Sequence, residues 1–200
     1  MSVTKVLSGS KIAILVANGF TEQDMTEAQR ALIEAGATTK IVSPDAGLVN
    51  GWSEKSWGHH YAVDATLSTA LSADYDALLV PGGQKSLDKL KLTAHTKRFI
   101  NGFMASEKPV VVYGDALHIM IITDNVRERS VAGPANMQDV VVQAGGQWAE
   151  STPVLDKNLM TGSTDDECRK VLVSEMISYL AVHETARREK MAEQAAALAA

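Results

Sequence analysis

Apolar and polar residues alternate along the chain in strand-like and helix-like segments. Short apolar runs predict buried strands at 12–17, 38–43, 76–80 and 110–113, with shorter strands near Val154 and Leu159. Apolar residues at helical spacing predict helices at 22–35, 93–105, 117–122 and 134–144, and a long helix from Asp165. Continuous apolar strands are typical of sheets covered on both faces. The alternation therefore predicts an α/β fold, a mostly parallel sheet with helices on both faces.

The predicted strands end in glycine-rich segments. The carboxyl ends are Asn18-Gly19-Phe20, Pro81-Gly82-Gly83 and Gly114-Asp115. Functional sites of open parallel sheets lie outside the carboxyl ends of their strands. We therefore expect these three segments to meet at one edge of the sheet.

The segment Lys108–His118 is the most informative part of the chain. Pro109 opens the apolar run Val110–Tyr113, and Gly114-Asp115-Ala116 then turns sharply into a second apolar stretch. A strand that turns abruptly into a helix raises one residue above the sheet, where enzymes place a nucleophile. Glycine at this position offers no nucleophilic side chain.

This segment resembles the nucleophile region of the PfpI/ThiJ superfamily, in which Lys-Pro-Val and three further residues precede Cys-His-Gly. The family's Cys, His and Gly fall on Gly114, Asp115 and Ala116. Further matching motifs bring the resemblance to roughly residues 11 to 182: Val80-Pro81-Gly82-Gly83, Gly133–Asp139 with Ala144-Gly145-Gly146, and Leu159–Ser163. The resemblance implies a flavodoxin-like three-layer sandwich, the class I glutamine-amidotransferase-like fold.

Within that superfamily, the Gly-Asp-Ala elbow looks most similar to the C-terminal domain of large-subunit catalases, which also lacks the cysteine. The family's Gly-Phe-Glu-Asp pattern reads Gly19-Phe20-Thr21-Glu22 here, so Thr21 replaces the key acid. Loss of both groups favours a non-catalytic protein, and the elbow no longer needs a strained backbone. The resemblance implies a stress-related, chaperone-like or partner-stabilising role and a homodimer. We expect no cofactor, and the single cysteine fits the reducing cytoplasm.

Asp115 supports an alternative. A carboxylate on the elbow could serve as nucleophile or general base of a hydrolase, lyase or glyoxalase-like enzyme. The simpler interpretation is that Asp115 caps free N–H groups at the start of a helix. The candidate pocket residues are Thr21, Glu22, Asp24, Gly82, Gly83, Gly114, Asp115, Ala116 and His118. A third interpretation is a sensor that holds an anion or small molecule on the old oxyanion donors near Gly83 and Gly114.

Three other features favour structural roles. The only cysteine, Cys168, lies in register with Leu172 and Met176, which predicts a small buried hydrophobe. His118 follows the elbow by one helical turn and is expected to be packed and hydrogen-bonded. The segment 52–61 contains two tryptophans, two histidines and a tyrosine. Adjacent histidines on a strand point to opposite faces, so an aromatic hairpin, part of a subunit contact, is favoured over a metal site.

Composition limits the classes of partner. The chain of 200 residues has 46% apolar residues and a net charge of −5, with no long basic run. Nucleic acid is therefore not an expected partner. We also expect no membrane span and no disulfide. The predicted organisation is a flexible N-terminus at 1–10, one α/β domain at 11–182 and an Ala-rich helical extension at 183–200.

Overall fold

The computed structural model describes residues 5–198. The strands are β1 (Lys11–Leu15), β2 (Phe20–Thr21), β3 (Thr38–Ser43), β4 (Leu48–Ser53), β5 (Ser56–Ala62), β6 (Ala65–Thr66), β7 (Ala77–Val80), β8 (Val110–Tyr113), β9 (Ser130–Val131), β10 (Gln147–Trp148), β11 (Val154–Asp156) and β12 (Leu159–Gly162). The helices are α1 (Glu22–Glu34), α2 (Gln84–Leu90), α3 (Ala94–Ala105), α4 (Leu117–Ile122), α5 (Gln138–Gln143) and α6 (Asp166–Leu198). The predicted fold class is therefore confirmed.

A seven-stranded sheet in the order β11-β12-β8-β7-β1-β3-β6 forms the centre of the domain. All neighbouring strands run parallel except β11, which pairs antiparallel with β12. Strands β1, β7 and β8 are adjacent, so their carboxyl ends lie side by side, as expected from the sequence.

Two apolar layers cover the sheet. On one face α1 and α6 contribute Met25, Leu32, Leu172 and Met176. On the other face α2 to α5 contribute a larger set: Leu87, Phe99, Phe103, Leu117, Met120 and Val141. Strand β8 lies between these layers and each of its residues is at most 1% exposed, which explains its uninterrupted apolar sequence.

Local signals mark the end of α1 and the start of α3. Gly36 follows α1 at φ +97°, a left-handed conformation that glycine adopts without a steric penalty. The Thr93 side chain accepts a hydrogen bond from the His95 amide and caps α3. The predicted helix at 134–144 begins instead as a 3-10 turn at Ala135–Met137, before α5.

Segment 52–61 forms the predicted aromatic hairpin, β4–β5, which pairs with β2 in a separate three-stranded sheet. Trp52 and Trp57 stack edge to face at 5.3 Å between ring centroids, and Lys85 Nζ lies 4.4 Å from the Trp52 ring. Within residues 5–198, no group of three His, Cys, Asp or Glu side chains is arranged to hold a metal ion.

The amino-terminal end of the described chain packs on the domain. Leu7 is 1% exposed and its amide donates to the Ala35 carbonyl, so contacts with the domain start before the predicted boundary at residue 11. The flexible segment at 1–10 stays a prediction: Leu7 and Ser10 are buried against the domain, and residues 1–4 lie outside the described part. No helix in the described part is long and apolar enough to cross a membrane.

Helix α6 continues without a break past position 183. Charged side chains attach the first turn of this extension to the domain. The Glu184 carboxylate is buried and accepts hydrogen bonds from Arg187 and Arg188. Arg187 also pairs with Asp76 at 3.4 Å, and Arg188 donates to the Ser8 carbonyl. The described part of the extension is helical as far as Leu198, and its first turn is attached to the domain.

We predict that Glu184→Ala lowers the free energy of unfolding by about 1–3 kcal/mol, because two guanidinium groups lose their shared buried acceptor. Urea denaturation measures the change. Glu189→Ala, at an exposed position of the same helix, is the matched control and should change stability by less than about 0.5 kcal/mol. Equal effects of the two substitutions would contradict the structural role of Glu184.

Candidate functional site

The elbow after β8 has the predicted strand–turn–helix form. Gly114, Asp115 and Ala116 form a 3-10 turn that leads directly into α4. Gly114 keeps a left-handed backbone at φ +54°. Glycine adopts this left-handed conformation without the steric penalty that other residues pay, as expected from the sequence.

Thr164 fills the space that a side chain at position 114 would need. A Cβ built on Gly114 would lie 2.7 Å from Thr164 Oγ1 and 3.2 Å from Thr164 Cγ2. Thr164 follows β12, the neighbour of β8 in the sheet, so both strand ends contribute to the elbow. The side chain next to this turn is thus the hydroxyl of Thr164 and not a thiol.

Asp115 binds the neighbouring glycine turn. Its Oδ1 accepts a hydrogen bond of 2.8 Å from the Gly83 amide. Gly83 is the N-terminal capping residue of α2 and has φ +121°. Asp115 therefore does not cap its own helix: neither the 3-10 turn nor α4 has a side-chain capping hydrogen bond, and the amide that Asp115 binds precedes α2.

A second carboxylate lies against the same turn. A Cβ on Gly82 would lie 2.5 Å from Asp115 Oδ1 and 3.0 Å from Asp24 Oδ2. The absence of a side chain at Gly82 therefore lets both acids approach one peptide. The Gly82 carbonyl accepts a hydrogen bond from the Thr21 amide at 2.7 Å, which holds the start of α1 against the turn.

Asp24 is buried and paired with an arginine that the sequence did not indicate. Its side chain is 1% exposed, and Arg169 Nε lies 3.0 Å from its Oδ1. Burial and the charge of Asp115 raise the pKa of Asp24 to about 6, although the Arg169 charge opposes the shift. Arg169 also donates to the Thr164 carbonyl and to Asp166, so one guanidinium joins α1, α6 and the end of β12.

Glu22 does not join this cluster. Its carboxylate accepts hydrogen bonds from the His59 amide at 2.9 Å, from the Tyr61 hydroxyl at 3.0 Å and from the His59 ring. Burial opposes ionisation, but these hydrogen bonds hold the pKa of Glu22 below its ordinary value. Glu22 thus fastens α1 to the hairpin β4–β5.

The remaining predicted pocket residues contribute in different ways. Thr21 is half-buried and occupies the N-cap position of α1, but its side chain accepts no capping hydrogen bond. Ala116 is buried in the core. His118 is half-buried, but its ring forms no hydrogen bond with any described residue, so the expectation of a hydrogen-bonded histidine is wrong. Gly82, Gly83, Gly114 and Asp115 meet as predicted.

Cys168 is half-buried on α6 instead of fully buried, so that prediction is corrected. Its amide donates to Asp165 Oδ1 at 3.0 Å, because it lies in the first turn of the helix. The side-chain hydrogen bond to Asp165, burial and nearby acids raise the pKa of the thiol above its ordinary value. A raised pKa disfavours the thiolate, which is the nucleophilic form.

Among known proteins, the chain matches the DJ-1/PfpI family over residues 10–174. It belongs to that family. An uncharacterized Staphylococcus saprophyticus protein is 30% identical over 159 residues, 78% of this chain and 90% of that one. A Bacillus subtilis protein named "Putative cysteine protease YraA" is 28% identical over 158 residues, again 78% of this chain and 90% of that one.

Solved structures agree on the fold. A THiJ/PfpI family protein from Pseudomonas syringae superposes with a TM-score of 0.76 at 21% identity, over 96% of this chain and 78% of that chain. The match of the family model over residues 10–174 confirms the family predicted from the elbow and its neighbouring motifs.

We predict that the stability contributed by Asp24 depends on pH. Its pKa in the folded protein, about 6, lies above the ordinary 3.8, so the folded state binds more protons than the unfolded state between these values. This contribution is fully present below about pH 4 and is lost as the pH rises through 6.

The measurement compares wild type with Asp24→Asn in urea at pH 4 and pH 7. The stability of wild type relative to the variant should fall by about 1–3 kcal/mol over that range, because each pKa unit corresponds to about 1.4 kcal/mol. Asp45→Asn, at an exposed position, serves as the control. A constant difference between wild type and Asp24→Asn would contradict the prediction.

Proposed function

We propose that this DJ-1/PfpI protein does not use the family's cysteine chemistry and acts instead through binding, as a chaperone-like or partner-stabilising protein in the stress response. One observation supports this proposal most strongly. The Gly83 amide, which would serve as an oxyanion donor, already donates to the Asp115 carboxylate. A donor that is satisfied within the protein cannot stabilise a developing charge without first losing that bond.

The side chains at the elbow support the same proposal. Gly114 has no nucleophile, Thr21 replaces the acid expected from the family pattern, and Thr164 takes the space beside the turn. The single thiol, Cys168, lies on α6 with a raised pKa. We propose the cytoplasm as the location, a homodimer as the assembly, and the cysteine-less branch similar to the C-terminal domain of large-subunit catalases as the nearest type.

The alternative function is an enzyme with a carboxylate site, a hydrolase, lyase or glyoxalase-like protein that uses Asp115. The proximity of Asp24 to the same glycine turn favours it, because the pKa of Asp24, about 6, suits proton transfer near neutral pH. Against it, Asp24 is 1% exposed and cannot reach a substrate without movement of the surrounding residues.

Two assays separate these functions. A thermally unfolding client protein is heated with the full chain, and light scattering measures its aggregation. In parallel, a small aldehyde, an ester and a peptide are tested for turnover by wild type, Asp115→Asn and the control Asp45→Asn. We expect suppressed aggregation and no turnover above the uncatalysed rate for any of the three proteins. Turnover by wild type and Asp45→Asn that Asp115→Asn abolishes would establish the carboxylate enzyme instead.

We further predict that Gly114→Cys does not confer turnover of these substrates. The new thiol would compete with Thr164 for space, and the Gly83 amide would remain bound to Asp115. A non-glycine residue at this positive φ should also destabilise the fold by about 1 kcal/mol. Steady-state turnover and the melting temperature are measured together with those of Gly114→Ala, which adds the strain without the thiol. Turnover in the cysteine variant alone would refute the importance of the occupied donor.

A further inference from the structure

A cavity of about 420 Å³ lies at the amino-terminal edge of the sheet, away from the elbow. It is bounded by the end of α3, the turn between β11 and β12, the approach to β9, and α6. Asn158 marks this edge, because its carbonyl and side chain bind the residues that lead into β8. The cavity has the size of pockets that take small organic molecules.

Arg129 is the central polar residue of the cavity. It is half-buried, and its Nη1 and Nη2 donate to the Asp156 carbonyl at 3.0 Å and to Asn158 Oδ1 at 3.2 Å. The Asp156 carboxylate binds the Ser130 amide instead. Among the described residues, no carboxylate lies within 4.0 Å of the Arg129 guanidinium. A half-buried cation is thus held in place by neutral acceptors, without an anionic partner.

Two side chains from α6 add neutral hydrogen-bonding groups. Tyr179 is half-buried, and its hydroxyl forms no hydrogen bond with any described residue. Burial raises the pKa of Tyr179 to about 12, although the Arg129 charge opposes the shift, so the phenol remains a donor at neutral pH. Burial also lowers the pKa of His183 below its ordinary value, which favours the neutral imidazole.

The rest of the lining defines the ligand's shape and charge. Lys157 adds a second cation at the exposed turn, and Glu107 supplies the single acid of the lining. Met104 and the Tyr179 ring provide apolar surface. The formal charge of the lining is therefore positive, with one cation held by hydrogen bonds and one exposed.

We propose that this cavity binds a small organic monoanion, a carboxylate attached to a short apolar or aromatic body. The ligand's carboxylate pairs with Arg129 and accepts a hydrogen bond from the Tyr179 hydroxyl, while its apolar part contacts Met104 and the tyrosine ring. This binding is separate from the function proposed for the elbow, since it uses none of the elbow residues.

The test uses benzoate as the probe in a ¹H–¹⁵N chemical-shift titration of the full chain, with benzamide as the neutral analogue and inorganic phosphate as the plain anion. We expect benzoate to shift amides in the 104–107, 129–130, 156–158 and 179–183 segments. Benzamide and phosphate should bind at least about tenfold more weakly, because each lacks either the charge or the apolar body.

Variants distinguish benzoate binding in the cavity from non-specific electrostatic attraction of benzoate to surface cations. Arg129→Gln should weaken benzoate binding by about tenfold or more, and Tyr179→Phe by about threefold or more. Lys55→Gln, which removes an exposed cation in the β4–β5 turn, should leave the affinity unchanged. If Arg129→Gln fails to fold, Tyr179→Phe and Lys157→Gln decide the outcome. Equal binding of benzoate and phosphate, no shifts at millimolar benzoate, or equal affinities of the cavity variants and Lys55→Gln would overturn the proposal.

Discussion

The buried ion pair between Asp24 and Arg169 organises the carboxyl-terminal edge of this domain. The two residues are 145 positions apart, and their side chains are only 1% and 8% exposed. Two charges removed from water in this way require mutual compensation, since either one alone would be costly. The pair therefore fixes α6 on α1, and through the Thr164 carbonyl it also fixes the end of β12 beside the elbow.

The glycine turn after β7 allows a second constraint. Because Gly82 has no side chain, the carboxylates of Asp24 and Asp115 both reach the same peptide. Asp115 then binds the Gly83 amide, and its charge adds to the effect of burial in raising the pKa of Asp24. A change at either acid therefore affects the other, and the Asp115 carboxylate ties the elbow to the glycine turn.

Much of the fold could be predicted from the chain itself. The apolar run of β8, the helical spacing of α1 and α3, and the glycine after α1 are local patterns with local causes. The meeting of Gly82, Gly83, Gly114 and Asp115 followed from the rule that strand carboxyl ends share one edge. Thr164 could have been found by the same rule, because it follows β12. The bounds of α5 and the bonding of His118 could not, since they depend on packing.

The sequence by itself determined the alternation of strands and helices, the position of the elbow and the lack of a thiol there, because these depend on residue type and short-range spacing. Tertiary structure alone decided which amide Asp115 binds, that Arg169 neutralises Asp24, and that Arg129 lines a cavity without an acidic partner. Each of these contacts joins residues at least 27 positions apart. No local pattern encodes them, because such distant groups are brought together only when the layers of the domain pack.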